Sequence, residues 1–152
     1  LLKGVEEVEF VDIQDCNIPM YSEDCQKNDG FPELIVSLFE KISNSDKVII
    51  TVNEHNSNVS SFTKNILDWL SRYGKKMFAH KDVLVLSASN GKRGGQSAND
   101  FMVGFAQRND AKSVSGYSFA SFSENFDVEK QEISNSELDK EFTTIISNFI
   151  IK

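Results

Sequence analysis

The sequence predicts a single α/β domain over residues 1–152, in which helices cover both faces of a parallel β-sheet. Short apolar, β-branched segments alternate with amphipathic helical segments along the chain, which is the pattern of such a sheet. A chain of 152 residues has the size of one domain, and it contains no repeat or interdomain linker. Its hydrophobic fraction of 39% and its 12 phenylalanines supply the apolar surface for one core.

Four segments are predicted to be strands from their apolar and β-branched residues. The predicted strands cover residues 8–13, 47–52, 83–87 and 113–119. Val48, Ile49 and Ile50 are consecutive, which indicates a central strand that is buried on both faces. The last segment is more polar than the others, so we expect it at the edge of the sheet.

Four helices are predicted from apolar residues that recur every three or four positions. The four stripes are Phe31, Leu34, Ile35, Leu38, Phe39 and Ile42; Val59, Phe62, Ile66, Trp69 and Leu70; Ala98, Phe101, Met102 and Phe105; and Leu138, Phe142, Ile145, Ile146, Phe149 and Ile150. Gly74 is placed to end the second helix, and Ser136 is placed to cap the last one.

The charge and the hydropathy of the chain limit its partners. A formal net charge of −7 argues against nucleic acid or an anionic membrane as the main partner. No apolar stretch approaches the length that crosses a membrane, and no signal peptide is visible. We therefore expect a cytoplasmic protein.

The cysteines and histidines give no indication of a metal site. Cys16 and Cys25 have eight residues between them, which is neither a redox-pair nor a zinc half-site spacing. We expect both in a surface loop, as thiols in a reducing compartment. His55 and His80 are too few and too far apart in sequence to suggest metal ligands.

Two polar loops are the candidate ligand site. In an open parallel sheet, ligands bind beyond the carboxyl ends of the strands, and the segments Asn53–Asn58 and Ser87–Gly95 follow two predicted strands. Such loops offer backbone groups and short side chains to a planar polar heterocycle, and the helix after the first loop favours an anionic group. Any α/β protein also needs polar loops to turn its chain, so a purely structural role stays open. His55 is a candidate catalytic base, but a lone loop histidine is more often only a polar loop residue.

The two loops and their helices resemble a known family. The segment Asn53-Glu-His-Asn-Ser-Asn58, continuing into the helix that carries Ile66-Leu-Asp-Trp69, is similar to the Pro-Glu-Tyr-Asn-Gly-Ser loop and Leu-Lys-Asn-Ala-Leu-Asp-Trp helix of the NAD(P)H-dependent FMN reductases. That family includes flavodoxin-like quinone, chromate and azo-dye reductases. Ser87-Ala-Ser-Asn-Gly91 with Gly94-Gly95 resembles the family's Ser-Ala-Ser-Pro-Gly stretch and its paired glycines. The resemblance continues through Ile18–Tyr21 and Asn125–Asp127.

The resemblance implies a fold, a cofactor and a set of binding residues. It implies a flavodoxin-like, three-layer sandwich whose parallel sheet has the strand order 2-1-3-4-5. It implies FMN as the cofactor, NAD(P)H as the electron donor and a quinone or similar small molecule as the acceptor. The residues that would contact the flavin are Asn53, Glu54, His55, Asn56, Ser57, Asn58, Ser89 and Gly91. No side chain is expected to act as an indispensable acid or base, because the cofactor carries the chemistry. Backbone amides of the Ser89–Gly91 turn would stabilise negative charge on the reduced flavin.

The sequence departs from the family at several positions. Asn53 stands where the family has proline, His55 where it has tyrosine, Ser57 where it has glycine, and Ser60-Ser61 where it has Pro-Gly. The family's serine-rich phosphate loop does not occur in the sequence. We therefore expect a further strand, phosphate loop and helix of about 30 residues before Leu1. In the family order, that strand would lie between the strands of residues 8–13 and 47–52.

The family resemblance also implies an oligomer, and the departures leave a second function open. A homodimer or a dimer of dimers would form through Ile66, Trp69 and Leu70 and through the helix near Phe101. The altered loop gives some support to a non-enzymatic, flavin-binding or electron-carrying module. The helix signature favours the reductase, because electron-carrying flavodoxins generally use a different flavin loop.

Overall fold

A three-stranded parallel sheet forms the centre of the structure. The structure is a computed structural model, and it describes residues 8–13 and 17–151. The strands are β1 (Lys47–Val52), β2 (Glu54–His55), β3 (Asn58–Val59), β4 (Asp82–Ala88), β5 (Ser113–Phe119), β6 (Phe126–Asp127) and β7 (Glu132–Ile133). The helices are α1 (Glu23–Asp29), α2 (Glu33–Asn44), α3 (Ser61–Tyr73), α4 (Gln96–Arg108), α5 (Phe122–Asn125) and α6 (Ser136–Ile151). β1, β4 and β5 form the sheet, and β2–β3 and β6–β7 are short antiparallel pairs.

β4, and not β1, is the central strand among the described residues. β4 pairs in parallel with β1 on one side and with β5 on the other. Val83, Leu84 and Val85 are at most 1% exposed, whereas Ile49 and Ile50 of β1 are half-buried. β1 thus lies at the edge of the described three-stranded sheet, and its central position stays a prediction, because it depends on the strand expected between residues 8–13 and β1. The edge position predicted for β5 is confirmed.

Helices pack on both faces of the sheet, as predicted. On one face, which we call the α4 face, the backbone of Gly116 in β5 lies against Asn99 and Val103 of α4. The buried core on this face joins α2, α3 and α4 to the sheet. On the other, the α6 face, the ring of Tyr117 lies 5.6 Å from the ring of Phe142 in α6.

The ends of two helices show how local sequence sets their limits. Ser60 caps α3, because its Oγ accepts a hydrogen bond from the Thr63 amide at 3.2 Å. Gly74 ends the same helix, as predicted, and its amide donates to the Leu70 carbonyl. At α6 the predicted cap was wrong by one residue. Asn135 Oδ1 accepts from the second and third amides of that helix, and Ser136 is the first helical residue.

The predicted strand at residues 8–13 does not form. These six residues belong to no strand, and Phe10 is 85% exposed. A strand gains its stability from ladder hydrogen bonds and from burial of one face, and this segment has no strand beside it in the part of the chain that the structure describes. Residues 8–13 and β1 do not pair with each other. A strand between them stays a prediction.

Two further expectations change with the structure. Cys25 lies in α1 rather than in a loop, and Cys16 lies outside the described residues. Ile66, Trp69 and Leu70 are at most 4% exposed within this one chain. Their predicted place in the core is confirmed. A share in a subunit interface is not, because they have almost no surface left for a second subunit to cover. In the described residues, no helix is both long and apolar enough to cross a membrane.

Candidate functional site

A β-hairpin with a two-residue turn follows the carboxyl end of β1 and carries most of the predicted site residues. Glu54 pairs with Val59 and His55 pairs with Asn58, which leaves Asn56 and Ser57 at the turn. Both turn residues have positive φ, 52° and 60°, as in a type I′ turn. The family's glycine would adopt the conformation of Ser57 with less strain, since L-residues other than glycine disfavour this region.

The side chain of Glu54 fastens this hairpin to α4. Its Oε2 accepts hydrogen bonds from the amides of Ser97 at 2.8 Å and Ala98 at 3.2 Å. Gly95 occupies the cap position of α4 and has no side chain that could accept these bonds. The carboxylate of Glu54 therefore caps a helix that is more than 40 residues away in sequence.

The second predicted loop folds back on β4 and β5 through its glycines. Ser87 Oγ donates to the Gly94 carbonyl at 2.8 Å and lies 3.0 Å from Ser118 Oγ. Gly94 has a φ of +59°, and a Cβ there would lie 2.7 Å from the backbone of Phe119. Only glycine permits this close approach, so the paired glycines have a packing reason.

The turn at residues 89–91 is bound to the segment after β5. The Ser89 amide donates to the Phe119 carbonyl at 3.2 Å, and the Ser89 carbonyl accepts from the Phe122 amide at 3.0 Å. The Gly91 carbonyl accepts from the Ser121 amide at 3.2 Å. The Ser89 amide is thus engaged within the protein. The expected stabilisation of charge on a reduced flavin therefore does not extend to the Ser89 amide, and for the amides of Asn90 and Gly91 it stays a prediction.

Asn99 is a buried polar residue that the sequence reasoning missed. It is 1% exposed, and its Nδ2 lies 3.1 Å from the Val85 carbonyl, 3.0 Å from the Tyr117 carbonyl and 3.4 Å from Ser87 Oγ. It therefore links α4 to β4, which carries the second loop, and to β5 beside it. An asparagine between two apolar positions of a helix stripe, with Gly116 in the neighbouring strand, was the available signal.

An aromatic cavity of about 400 Å³ opens at the carboxyl ends of the three sheet strands, on the α6 face. Its walls include Thr51 and Ala88 at the strand ends. The aromatic lining residues are Tyr117, Phe119, Phe122, Phe126 and Phe142. The rings of Phe122 and Phe126 are stacked at 4.8 Å. Partial burial raises the pKa of the Tyr117 hydroxyl, and the neighbouring Glu141 carboxylate raises it further.

The eight predicted site residues do not line one common cavity. His55, Asn56 and Asn58 line a second, more polar cavity of about 390 Å³ beside Lys64 and Phe101. Ser89 and Gly91 hold the segment after β5, as described above. Asn53 and Ser57 are exposed, and none of the eight lines the aromatic cavity.

The two loops nevertheless meet at the start of α4. The position of a Cβ on Gly95 would lie 3.2 Å from Ser87 Cβ and 3.7 Å from Glu54 Cβ. Ser87, which also borders the aromatic cavity, therefore lies at the point where the two loops meet. Within residues 8–13 and 17–151, no group of three His, Cys, Asp or Glu side chains is arranged to hold a metal ion.

The sequence comparison identifies the class of protein. The family model of the NADPH-dependent FMN reductases matches residues 1–125. The chain therefore belongs to the NADPH-dependent FMN reductase family, which confirms the resemblance found in the two loops.

Particular relatives carry names that agree with this family. The chain is 40% identical over 79 residues to a quinone reductase of Escherichia coli (strain K12), covering 52% of this chain and 42% of that protein. It is 31% identical over 91 residues to the NADPH:quinone oxidoreductase of Arabidopsis thaliana, covering 60% and 45% of the two chains. The matches thus span less than half the length of both relatives.

A solved structure has the same fold. The chain is similar to FerB, a flavoenzyme NAD(P)H:(acceptor) oxidoreductase from Paracoccus denitrificans, with a TM-score of 0.76 and 22% identity. The superposition covers 98% of this chain and 81% of that one. This likeness shows a flavodoxin-like fold.

Proposed function

We propose that the protein is an NAD(P)H-dependent oxidoreductase that holds FMN and passes electrons through it to a quinone or a similar small acceptor. The observation that carries the proposal is the convergence of the two family loops at the start of α4, beside an aromatic cavity at the strand ends. Family membership and the quinone reductases among the relatives support it. The strand order 2-1-3-4-5 is part of this proposal, and β1, β4 and β5 would supply its last three strands.

The proposal gives the residues of the chain binding and orienting roles. The hairpin at residues 53–58 and the Ser89–Gly91 turn would hold the flavin, with amide and hydroxyl groups meeting its polar edge. When bound, FMN accepts a hydride from NAD(P)H and gives electrons to the acceptor. The phenylalanines of the cavity would exclude water from the reacting molecules. His55, at the exposed hairpin, replaces the aromatic surface of the family's tyrosine and would change acceptor preference.

A non-enzymatic, flavin-binding module is the second candidate. Asn53 and His55 replace a rigid residue and an aromatic residue of the family loop, and both changes lie in the hairpin that would contact the flavin. A carrier of this kind would bind FMN but would not oxidise NADPH.

Stopped-flow and steady-state measurements on the purified full-length protein test both candidates. The protein is mixed with FMN and NADPH, and NADPH absorbance is followed with and without a quinone. We expect oxidation that needs FMN and accelerates with quinone. Bound FMN without NADPH oxidation would favour the carrier, and no bound FMN would refute both. Free FMN at the same concentration, without protein, is the control for uncatalysed reaction.

Two features of the whole protein remain part of the proposal. A homodimer or a dimer of dimers follows from the family resemblance, with the interface outside the buried side chains of Ile66, Trp69 and Leu70. Light scattering that shows a monomer at micromolar concentration would contradict it. A cytoplasmic location rests on the sequence arguments given above.

A further inference from the structure

One carboxylate connects the two loops of the proposed flavin site. Glu54 lies in the hairpin after β1, and its Oε2 accepts from the amides of Ser97 and Ala98 in the first turn of α4. The second loop, Ser87–Gly95, runs directly into that turn. The bond therefore joins two segments that reach the site from different strands.

The other amides at the start of α4 already have partners inside the protein. The Gln96 amide donates to the Arg93 carbonyl at 3.0 Å, and the Asn99 amide donates to the Gly95 carbonyl at 3.1 Å. With Glu54 on the two amides between them, this helix end has its first four donors satisfied. Glu54 thus occupies a position where an anionic ligand would otherwise bind.

The hairpin depends on such an attachment, because its own ladder is very short. β2 and β3 form only two residue pairs, and a hairpin of this size is not stable alone in water. Val59 on one strand is buried in the core, and Glu54, which pairs with it on the other strand, is held by α4. A hydrogen bond to a charged acceptor, at the positive end of a helix, is stronger than one between neutral groups.

We propose that Glu54 is a positioning residue that sets the hairpin at residues 53–59 relative to the Ser87–Gly95 loop and so fixes how tightly and in what orientation FMN binds. This inference rests on the proposed function. It assigns the Glu54 side chain to α4 and leaves the contacts with the flavin to the backbone of the hairpin and to its neighbouring side chains. Gly95 completes the arrangement, since its missing side chain lets Ser87 and Glu54 approach the same point.

Three substitutions separate the geometry of the bond from its charge. Both bonds go to one oxygen, so Glu54→Gln keeps an acceptor of the same reach and removes the charge. Glu54→Asp keeps the charge and shortens the reach by one methylene, and Glu54→Ala removes both. Ser22→Ala is the matched control, because it removes the side chain that caps α1, away from the two loops.

The experiment uses the full-length protein and measures the FMN dissociation constant by fluorescence quenching and the visible circular dichroism of bound FMN. Far-ultraviolet circular dichroism shows which variants are folded. We expect Glu54→Ala to weaken FMN binding about tenfold or more and to change the flavin spectrum. Without its attachment the hairpin must become ordered when FMN binds, and this ordering costs binding free energy. Glu54→Gln is expected to recover most of the affinity, and Glu54→Asp less. Ser22→Ala should bind FMN like the unaltered protein.

The outcomes distinguish this inference from the proposed function. If the unaltered protein binds no FMN, the proposed function fails. If it binds FMN and folded Glu54→Ala has the same dissociation constant and flavin spectrum, the positioning role is refuted. If Glu54→Ala does not fold, the FMN affinities of Glu54→Gln and Glu54→Asp are compared instead. The positioning role predicts a higher affinity for Glu54→Gln, and it is refuted if both variants bind FMN as tightly as the unaltered protein. Hydrogen exchange of the Ser97 and Ala98 amides without flavin gives an independent check, since both should exchange faster in Glu54→Asp.

Discussion

The two faces of the sheet are packed to different degrees, although the same three strands form both. On the α4 face, Val83, Val85 and Asn99 are at most 1% exposed, and three helices cover the sheet. On the α6 face, Tyr117 and Phe142 are half-buried, and a cavity of about 400 Å³ lies at the strand ends. The α4 face, the closed face, therefore fixes the position of the loops, whereas the α6 face, the open face, leaves a cavity at the strand ends.

The closed face owes its rigidity to polar as well as apolar contacts. Asn99 and Ser87 lie in its interior, and each has hydrogen-bond partners there. In the described part of the chain, every buried side-chain nitrogen or oxygen has a partner. A buried network that is fully satisfied specifies one arrangement of the elements that it joins, which here are α4, β4 and β5.

Truncation of the largest closed-face side chain should have the largest effect on stability. Trp69 is 0% exposed, its Nε1 donates to the Pro19 carbonyl at 2.8 Å, and its ring packs edge-on against Tyr21 and Phe31. We expect Trp69→Ala to lower the free energy of unfolding by about 3–5 kcal/mol. Urea unfolding followed by circular dichroism measures the loss.

The matching change on the open face sharpens the comparison. Phe142 is half-buried beside the cavity, so Phe142→Ala should cost less than half as much as Trp69→Ala. Equal losses would show that the α6 face is as tightly packed as the α4 face and would overturn the comparison.

A methyl group at Gly116 should disrupt the buried hydrogen bonds of Asn99 on the closed face. A Cβ there would lie 2.2 Å from Asn99 Oδ1 and 3.0 Å from Val103 Cγ2, so Asn99 must move. We expect Gly116→Ala to cost about 1–3 kcal/mol by overpacking. Ser115→Ala is the control, because Ser115 is the exposed preceding residue and points to the opposite face.

A double-mutant cycle tests whether Asn99 is the cause. If the clash with Asn99 dominates, Gly116→Ala should cost less in an Asn99→Ala background than in the unaltered protein. Additive losses in chemical denaturation would mean that Val103 or the strand backbone carries the cost.

These residues also show how far the sequence could predict the structure. The helix stripes, β4 and β5 were predictable because apolar periodicity reports burial directly, and the family loops were predictable because their residues occur at fixed spacing. Residues 8–13 were assigned a strand because pairing partners are not contained in the pattern of one segment, and for the same reason the pattern of β1 did not specify its neighbours. The Glu54 and Asn99 contacts were not predictable, since each joins residues that are distant in the chain and is fixed only by the final packing.

Two lysines that cap helix ends offer a smaller test of the same comparison. Lys81 is 8% exposed, and its Nζ donates to the Ser43 and Ser45 carbonyls at the end of α2. Lys47 is half-buried, and its Nζ donates to the Phe149 and Ile150 carbonyls at the end of α6. We expect Lys81→Met to cost about 1–3 kcal/mol and Lys47→Met about 1 kcal/mol, because buried carbonyls lose more when their donor is removed.

Thermal unfolding and hydrogen exchange measure both lysine substitutions. Lys47→Met should accelerate exchange mainly in the last turn of α6, where fraying is easiest. A larger loss for Lys47→Met than for Lys81→Met would contradict the assignment of the tighter packing to the side of the sheet that carries α2.

The smallest expected effect lies at the amino ends of β4 and β5, away from the candidate site. The Ser113 hydroxyl donates to Asp82 Oδ1 at 2.5 Å, and this bond, assisted by Lys112, lowers the pKa of the Asp82 carboxyl below its ordinary value. A lowered pKa in the folded state stabilises the protein above the ordinary carboxyl pKa of about 3.9, and the stabilisation is lost as the pH falls through the lower, folded value. Ser113→Ala should therefore cost about 0.5 kcal/mol at neutral pH, after allowance for solvent screening, and less at about pH 2.

Lys112→Ala, which removes only the partner at 3.5 Å, should cost less than Ser113→Ala at neutral pH. Urea unfolding at a series of pH values measures the difference, and a gap between Ser113→Ala and the unaltered protein that widens toward acid would contradict the direction of the pKa shift. Because these strand ends lie opposite the two loops, FMN affinity should stay the same in both variants, which separates the stability of the sheet from the organisation of the site.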